Sequence, residues 1–284
     1  MSGAEIGAAD RVALDQWHIV GALEDLLVGK ARTTPLLGAA VTLLRAVDDT
    51  VAASASGRLL PVRQKFGYVW TSLGDPAGEI FDIPEYCEPD RRNMNAASMG
   101  VHVSAPRAVE NFLDLAHFAF VHTNYLGVEP HTEIKPYKVD VSADGDEILA
   151  TKCIAYQPLA SLVATEGYDV EYIYRVPHPY CAILYKANAV DLTRQDVIGL
   201  FLQPVEEERS IGHMLLSVLD ETNSDVAIRA YQQLIFGQDK PILENQMPKK
   251  LPLDMRAELS ARADSSSSTY RRWLRERGVR YGTI

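Results

Sequence analysis

Two histidines and an aspartate near the middle of the chain form the pattern with the clearest chemical potential. Asp114, His117 and His122 lie in an otherwise apolar stretch. Two imidazoles and one carboxylate from elsewhere can form a facial triad with open coordination positions, the usual arrangement of Fe(II) sites that activate oxygen. Two histidines packed in a core or at a helix end would give the same local pattern, so the spacing alone does not decide.

The spacing of the histidines restricts the backbone that could bring them together. Apolar residues recur at helical spacing from Arg107 to Val121, which predicts a helix there. Positions five apart on a regular helix point about 140° away from each other. The helix must therefore end or bulge between His117 and His122 if both bind one metal. Asp114 would lie on the same face as His117 and could hold its second ring nitrogen.

A stretch near the C-terminal third offers the carboxylate. Asp239 lies between Gly237 and Pro241 in a segment with helical periodicity. Pro241 cannot donate a hydrogen bond to the carbonyl of Gly237, which predicts a kink that re-aims Asp239. Glu244 is a rival ligand, and a solvated acidic residue at a helix end would have the same sequence.

The elements around these residues predict an α+β fold. Residues 12–60 have the pattern of short strands and turns, with Val51–Gly57 small and turn-like, and residues 133–218 alternate as in an antiparallel sheet. A long helix is expected after Ser224, a plausible N-cap, and a last helix near Thr269–Arg277. Together these segments predict a helix pair on a curved antiparallel sheet, preceded by a small β-rich segment.

Composition and charge argue against several classes of partner. The 284-residue chain is 47% hydrophobic and carries a net charge of −10, which disfavours nucleic acid and anionic membranes as partners. Three cysteines (Cys87, Cys153 and Cys181) are too few and too scattered for a disulfide framework. The first ten residues do not have the pattern of a signal peptide. These features predict a cytoplasmic protein.

Both motif-bearing stretches resemble the catalytic domain of Rieske non-haem iron oxygenases. The family pattern Asp-x-x-His-x-x-x-x-His matches Asp114, His117 and His122. The demethylase-like branch has Phe-x-x-Asp-Lys-Pro-x-x-Glu-x-Gln, which matches residues 236–246 and implies Asp239 as the third iron ligand. The resemblance extends over nearly the whole chain. It implies a helix-grip (START-like) catalytic domain at residues 63–284, after a truncated Rieske-like segment at residues 1–62.

The chain departs from this family where the iron–sulfur cluster should be bound. Rieske clusters need two cysteines and two histidines, but the interval from Asp48 to Arg63 contains neither residue type, and no cysteine begins a Cys-x-His or Cys-x-x-His pair. We therefore expect mononuclear Fe(II) without an own [2Fe–2S] cluster, and electrons that come ultimately from NAD(P)H through a partner reductase. The donor could be a Rieske-bearing reductase, a Rieske ferredoxin or an intact paralogous subunit.

The resemblance also implies a role for Asp114 and a type of assembly. In the family, the matching aspartate bridges a cluster histidine of the neighbouring subunit to the ligand that matches His117. Its retention here implies that this electron route is still used. Members commonly form rings of three, so we expect a trimer or a mixed assembly that contains another, structural subunit.

A cluster-free member of this family is known among the enzymes that N-demethylate methylxanthines, and the resemblance to it implies the reaction. We expect oxidation of an N-methyl group of a small heterocycle such as 7-methylxanthine, with release of formaldehyde. The alternatives are O-demethylation or ring hydroxylation of another small aromatic compound, an Fe(II) enzyme that takes all its electrons from substrate, and a non-catalytic ligand-binding or structural subunit.

A flat ring requires an apolar, aromatic pocket with a few polar groups. Gln157 and Gln203 could hydrogen-bond a heterocycle. The aromatic candidates are Phe118, Phe120, Tyr156, Tyr168, Tyr172, Tyr174 and Tyr185. The other histidines lack a partnered carboxylate motif, so we interpret His102, His131, His178 and His213 as structural.

Overall fold

The computed structural model describes residues 10–284, and the residues before Asp10, on which the signal-peptide expectation mostly depends, lie outside this part. The helices are α1 (Arg11–Leu14), α2 (Ala105–Leu113), α3 (Phe118–Val121), α4 (Asp225–Asn245) and α5 (Ser265–Glu276). The strands are β1 (His18–Ala22), β2 (Ala31–Leu36), β3 (Ala39–Arg45), β4 (Val51–Ala55), β5 (Arg58–Leu60), β6 (Val62–Lys65), β7 (Tyr68–Thr71), β8 (Arg92–Val101), β9 (Lys138–Val141), β10 (Ile148–Gln157), β11 (Tyr168–His178), β12 (Cys181–Ala187), β13 (Gln195–Glu206) and β14 (Arg209–Val218).

The largest sheet has seven antiparallel strands in the order β8-β14-β13-β12-β11-β10-β9. Because side chains alternate along a strand, each strand contributes to both faces of the sheet. Tyr172 and Leu184 belong to the main core, which also contains residues of α2, α4 and α5. Ile183 and Tyr185 belong to a second core on the opposite face, together with Trp70. Residues of the N-terminal strands contribute to both cores, because Val20 belongs to the main core and its neighbour Ile19 to the second.

The N-terminal strands form two small sheets, β1-β7-β6 and β2-β3-β4-β5. The second sheet is attached to the end of β13 by backbone hydrogen bonds from Leu37 N to Pro204 O and from Gly38 N to Val205 O, both 2.8 Å. The turn-like interpretation of the small residues from position 51 is wrong, because Val51–Ala55 is strand β4. The turn is confined to Ser56 and Gly57, whose φ angles are +50° and +78°.

The predicted α+β class with helices on an antiparallel sheet is confirmed. Strands β9 to β14 lie within the predicted range 133–218, and Ser224 caps α4 by accepting a hydrogen bond from the backbone N–H of Ala227. The sequence prediction missed β8, whose residues are mostly small or polar. As an edge strand, β8 needs fewer apolar residues than a central strand. The division into residues 1–62 and 63–284 stays a prediction.

Among the helices formed by residues 10–284, none combines the length and apolar character needed to cross a membrane.

Candidate metal centre

The end of helix α2 places Asp114 beside the first histidine. Ser104 caps the start of α2, and the helix ends at Leu113 because Asp114 has an extended backbone, with ψ of 129°. The Asp114 carboxylate then accepts hydrogen bonds from the backbone N–H groups of Ala116 and His117, at 2.8 and 3.2 Å. The contact between Asp114 and His117 therefore arises from a turn, and not from a shared helix face as the sequence suggested.

The single turn of helix α3 lies between the two histidines. His117 is its N-cap and His122 its C-cap, and the backbone of His122 is outside the helical region, with φ −107° and ψ 37°. Because the regular helix α2 has already ended, both imidazoles can turn towards one point. The helix is thus interrupted, as expected. The interruption begins at Asp114, directly after α2.

Helix α4 brings the carboxylate to the histidines. The Asp239 side chain is 13% exposed, and its Oδ1 atom lies 3.3 Å from His117 Nε2 and 3.2 Å from His122 Nε2. Helix α4 continues through Pro241 to Asn245, so Asp239 is presented from within this helix, and the kink at Pro241 stays a prediction. The rival Glu244 is occupied elsewhere, since it accepts hydrogen bonds from Lys240 Nζ and from the backbone N–H of His102.

The mutual distances among these three side chains fit one metal ion. The two Nε2 atoms are 3.1 Å apart, similar to the distances to Asp239 Oδ1. Ligand atoms on one face of an octahedron, with bonds of about 2.1 Å, lie about 3 Å from one another. Asp239 Oδ1 is buried and makes no hydrogen bond within the described part of the chain. These residues therefore fit a divalent metal held by two histidines and one carboxylate.

Both histidines are oriented by a hydrogen bond at the nitrogen that faces away from the centre. His117 Nδ1 is 3.0 Å from Asp114 Oδ2, and His122 Nδ1 is 2.8 Å from Gln238 Oε1. A proton on each Nδ1 leaves each Nε2 with a free lone pair, the form that binds a metal. Gln238 was not anticipated, because only its place directly before Asp239 in the sequence pointed to it.

The charges around the centre favour a cation. Burial by itself would lower the pKa of His117, but the carboxylates of Asp114 and Asp239 outweigh burial and raise this pKa to about 9. Burial would likewise raise the pKa of Asp239, yet the neighbouring imidazoles hold it below its usual value. The carboxylates thus stabilise positive charge at this point.

A pocket opens beside the cluster, between α2, α4 and the large sheet. Its walls are largely apolar and aromatic, which suits a flat ring. The apolar and aromatic side chains that line it include Phe112, Phe118, Leu126, Tyr172, Tyr174 and Leu184. Three of the predicted aromatic residues, Phe118, Tyr172 and Tyr174, therefore line the pocket.

The other pocket candidates lie elsewhere. Phe120 is 64% exposed, and Tyr185 packs in the second core on the opposite face of the sheet. Tyr156 stacks on His131 with ring centroids 4.1 Å apart, in a neighbouring cleft. Tyr168 is half-buried beside Gln157 on the paired strand.

The two predicted glutamines also have different positions. Gln157 is buried and donates a hydrogen bond to Tyr172 Oη, so it supports a pocket residue. Gln203 points away from the pocket and contacts Thr34 and His213. The expectation that Gln203 contacts a ligand in this pocket is therefore wrong.

Residues 101–280 match the family model described as the vanillate O-demethylase oxygenase C-terminal domain. The chain is 45% identical to a probable methylxanthine N7-demethylase, NdmC, from Pseudomonas sp. (strain TJI-51), over 97% of this chain and 98% of that protein. It is 26% identical to methylxanthine N1-demethylase NdmA from Pseudomonas putida, over 75% of this chain and 59% of that protein.

Two solved structures have the same fold. NdmA of Pseudomonas putida CBB5 with caffeine superposes with a TM-score of 0.77 at 19% identity. The match covers 95% of this chain and 92% of the NdmA chain. Dicamba monooxygenase bound to 3,6-dichlorosalicylic acid superposes with a TM-score of 0.76 at 16% identity, over 93% of this chain and 97% of its own.

The fold and the family match define a class, that of oxygenase enzymes with a mononuclear iron catalytic site. Within that class, the chain belongs to the Rieske-type oxygenases of the vanillate O-demethylase branch, and it is an oxidoreductase. The family resemblance inferred from the sequence motifs is thereby confirmed.

Proposed function

We propose that this chain is the iron-bearing oxygenase component that N-demethylates a methylxanthine, with 7-methylxanthine as the substrate. The observation that carries the proposal is the convergence of His117, His122 and Asp239 beside an apolar, aromatic pocket. The 45% identity to a probable methylxanthine N7-demethylase supports the choice of substrate. Bound Fe(II) would supply the activation of O₂ at this site.

The reaction balances only with an external reductant. The N-methyl carbon is hydroxylated to N–CH₂OH, which incorporates one oxygen atom, and the second oxygen atom leaves as water. The methyl group supplies two electrons, so two further electrons and two protons must enter. The hemiaminal then releases formaldehyde and leaves the ring nitrogen as N–H.

We propose that a separate Rieske-bearing protein supplies these electrons, ultimately from NAD(P)H. The chain has three cysteines, none of which forms a Cys-x-His or Cys-x-x-His pair. Cys153 and Cys181 are buried and Cys87 is exposed, as free thiols at separate places. We further propose that residues 1–62 are a truncated Rieske-like scaffold, and that residues 63–284 form the catalytic unit.

The first experiment measures iron and acid-labile sulfide per chain after anaerobic loading with Fe(II). We expect one iron and no sulfide in the wild type. Asp239→Ala should lose the iron because it removes one of three ligands, whereas Glu244→Ala on the same helix should keep it. Iron retention in Asp239→Ala, or iron loss in both variants, would contradict the assigned ligands.

The second experiment measures formaldehyde from 7-methylxanthine with and without a Rieske-bearing reductase. We expect formaldehyde only with the donor, and none from Asp239→Ala. Formaldehyde release without any donor would indicate an enzyme that takes all its electrons from substrate. Stoichiometric iron without turnover of any methylxanthine would show that the metal site is right and the substrate wrong.

A further inference from the structure

A buried lysine lies on the wall of the pocket that contains the metal cluster. Lys186, on β12, is 6% exposed and lines the same pocket as His117, His122 and Asp239. Its cross-strand neighbour is Tyr172 on β11, and its ammonium lies 6.0 Å from the centroid of that ring. Lys186 also borders a second cavity beneath residues 160–163, so it stands where the two spaces meet.

The ammonium of Lys186 has more donors than the protein satisfies. It donates one hydrogen bond, to the backbone carbonyl of Ala160. No carboxylate oxygen within residues 10–284 lies within 4.0 Å of Lys186 Nζ. An ammonium has three N–H donors, so two are left without a protein acceptor in the described part of the chain.

The nearest acidic neighbour is engaged elsewhere. Asp196 on β13 is the cross-strand neighbour of Lys186 on β12 in the sheet register. Both its oxygens, however, accept hydrogen bonds from Asn188 Nδ2 at 3.1 Å, and one also accepts from the backbone N–H of Leu219 at 2.8 Å. Burial lowers the pKa of Lys186 to about 8, and Asp196 opposes this only in part. A buried cation without a close counter-ion is costly, unless a ligand supplies the acceptor.

Two tyrosines that line the pocket add further donors. The hydroxyl of Tyr174 is buried and has no hydrogen-bond partner among residues 10–284. The oxygen of Tyr172 already accepts a hydrogen bond from Gln157, so its own proton is available to another acceptor. Lys186 and its cross-strand neighbour Tyr172 thus place two donor groups on one wall of the pocket, and Tyr174 adds a hydroxyl two residues further along β11.

We propose that Lys186 determines substrate specificity by donating hydrogen bonds to a carbonyl oxygen on the substrate ring. The substrate is then a flat heterocycle whose carbonyl-bearing edge meets Lys186, while its N-methyl group meets the metal cluster. Xanthines have this layout, because the N7-methyl group and the C2 carbonyl lie at opposite ends of the fused rings. This inference rests on the proposed function, and it assigns Lys186 as the residue that recognises the substrate ring.

The test is equilibrium binding to the Fe(II)-loaded chain without oxygen or electron donor, measured by titration calorimetry. The two probes are 7-methylxanthine and 1-methylbenzimidazole, which has the fused-ring shape and the N-methyl group but no carbonyl. Lys186→Met should raise the Kd for 7-methylxanthine about 10- to 100-fold, the effect of losing a charged hydrogen bond. It should leave the Kd for 1-methylbenzimidazole unchanged within a factor of about two.

The matched control is Lys138→Met on the exposed edge strand β9, where the lysine pairs with Asp140, and it should change neither Kd. Lys186→Gln is the second variant if Lys186→Met does not fold. Equal weakening of both probes, or no change in either, would overturn the role of Lys186 while demethylation still stands. Failure of the wild type to bind 7-methylxanthine would also overturn it, whereas formaldehyde from another N-methyl compound would leave oxidative demethylation intact.

Discussion

Residue-level control of the candidate centre depends on the nitrogens that point away from the metal. Asp114 holds His117 and Gln238 holds His122, so each imidazole has one defined tautomer. Asp114 differs from Gln238 because it carries a charge and its side chain is 31% exposed. One face of the Asp114 carboxylate can therefore orient the metal ligand His117, while the exposed part remains accessible to a docked protein.

Asp114→Asn should separate metal binding from electron supply. The asparagine oxygen can still accept a hydrogen bond from His117 Nδ1, so we expect iron content to stay at the wild-type level. Turnover with a Rieske-bearing donor should fall about 10- to 100-fold, as is common when an outer partner of a metal ligand is changed. Steady-state formaldehyde release measures this loss, with Asp140→Asn on an exposed strand as the control. Unchanged turnover would exclude a role of Asp114 in the electron route.

At the level of elements, an ionic cluster fastens the helices that surround the site. Arg107 on α2 is fully buried and binds Glu110 and Glu258, while Arg271 on α5 binds the same two glutamates. The segment that follows α4 contributes Glu258, so the cluster joins α2, α5 and this connection. Because α2 ends directly before Asp114, this cluster stabilises the element that positions the first histidine.

Glu258→Gln should destabilise the fold, with a defined dependence on pH. Hydrogen bonds from Arg107 and then Arg271 lower the pKa of Glu258 from 4.5 to about 2. A lowered pKa in the folded state means that the stabilisation is present above about pH 4.5 and is lost as the pH falls towards 2. We expect a loss of about 1–3 kcal/mol at pH 7, the range for hydrogen bonds between charged groups.

Urea unfolding at several pH values between neutral and acidic conditions measures this loss. The difference between wild type and Glu258→Gln should shrink as the solution becomes more acidic. Asp254→Asn is the control, since Asp254 is largely exposed and pairs with the exposed Arg256. A difference that stays constant with pH would mean that the charge of Glu258 does not contribute.

At the level of the whole molecule, buried polar contacts attach the large sheet to the N-terminal strands. Gln203 on β13 makes two of them, because its amide donates to Thr34 Oγ1 at 2.8 Å and to Pro35 O at 2.6 Å on β2. Its oxygen lies 3.0 Å from His213 Nε2, which fixes the imidazole on β14. The N-terminal strands are thus attached to the large sheet through buried polar contacts as well as apolar packing.

Gln203→Leu should loosen the N-terminal sheet without emptying the metal centre. The variant removes the partners of His213 Nε2 and Thr34 Oγ1, whereas His213 Nδ1 keeps its contact with Ser98. The loss should cost about 1–3 kcal/mol. Hydrogen exchange should show reduced protection in β2–β5, with β10–β13 and the iron content unchanged. Gln64→Leu, which removes an exposed amide contact to Asp49 O, is the control. Equal loss of protection in all three sheets would show that the two N-terminal sheets and the large sheet unfold as one unit.

The sequence by itself determined the chemistry-bearing segments and the architecture around them. Histidine spacing showed that a regular helix could not hold both imidazoles, and alternation along residues 133–218 predicted the sheet. These signals are local, because they depend on the period of a strand or helix. Edge strand β8 and the small-residue strand β4 escaped, since their apolar pattern is weak.

Only the tertiary structure decided which distant groups meet. It brought Asp239, which the family motif had already implied, to within 3.2 Å of His122, and it added Gln238 as the partner of His122. It also turned Gln203 away from the pocket and placed Lys186 within it. These outcomes depend on which face of a strand or helix a residue occupies in the packed fold, and one step along a strand reverses that face. Residues far apart in the chain acquire a common environment only through packing, which residue spacing does not encode.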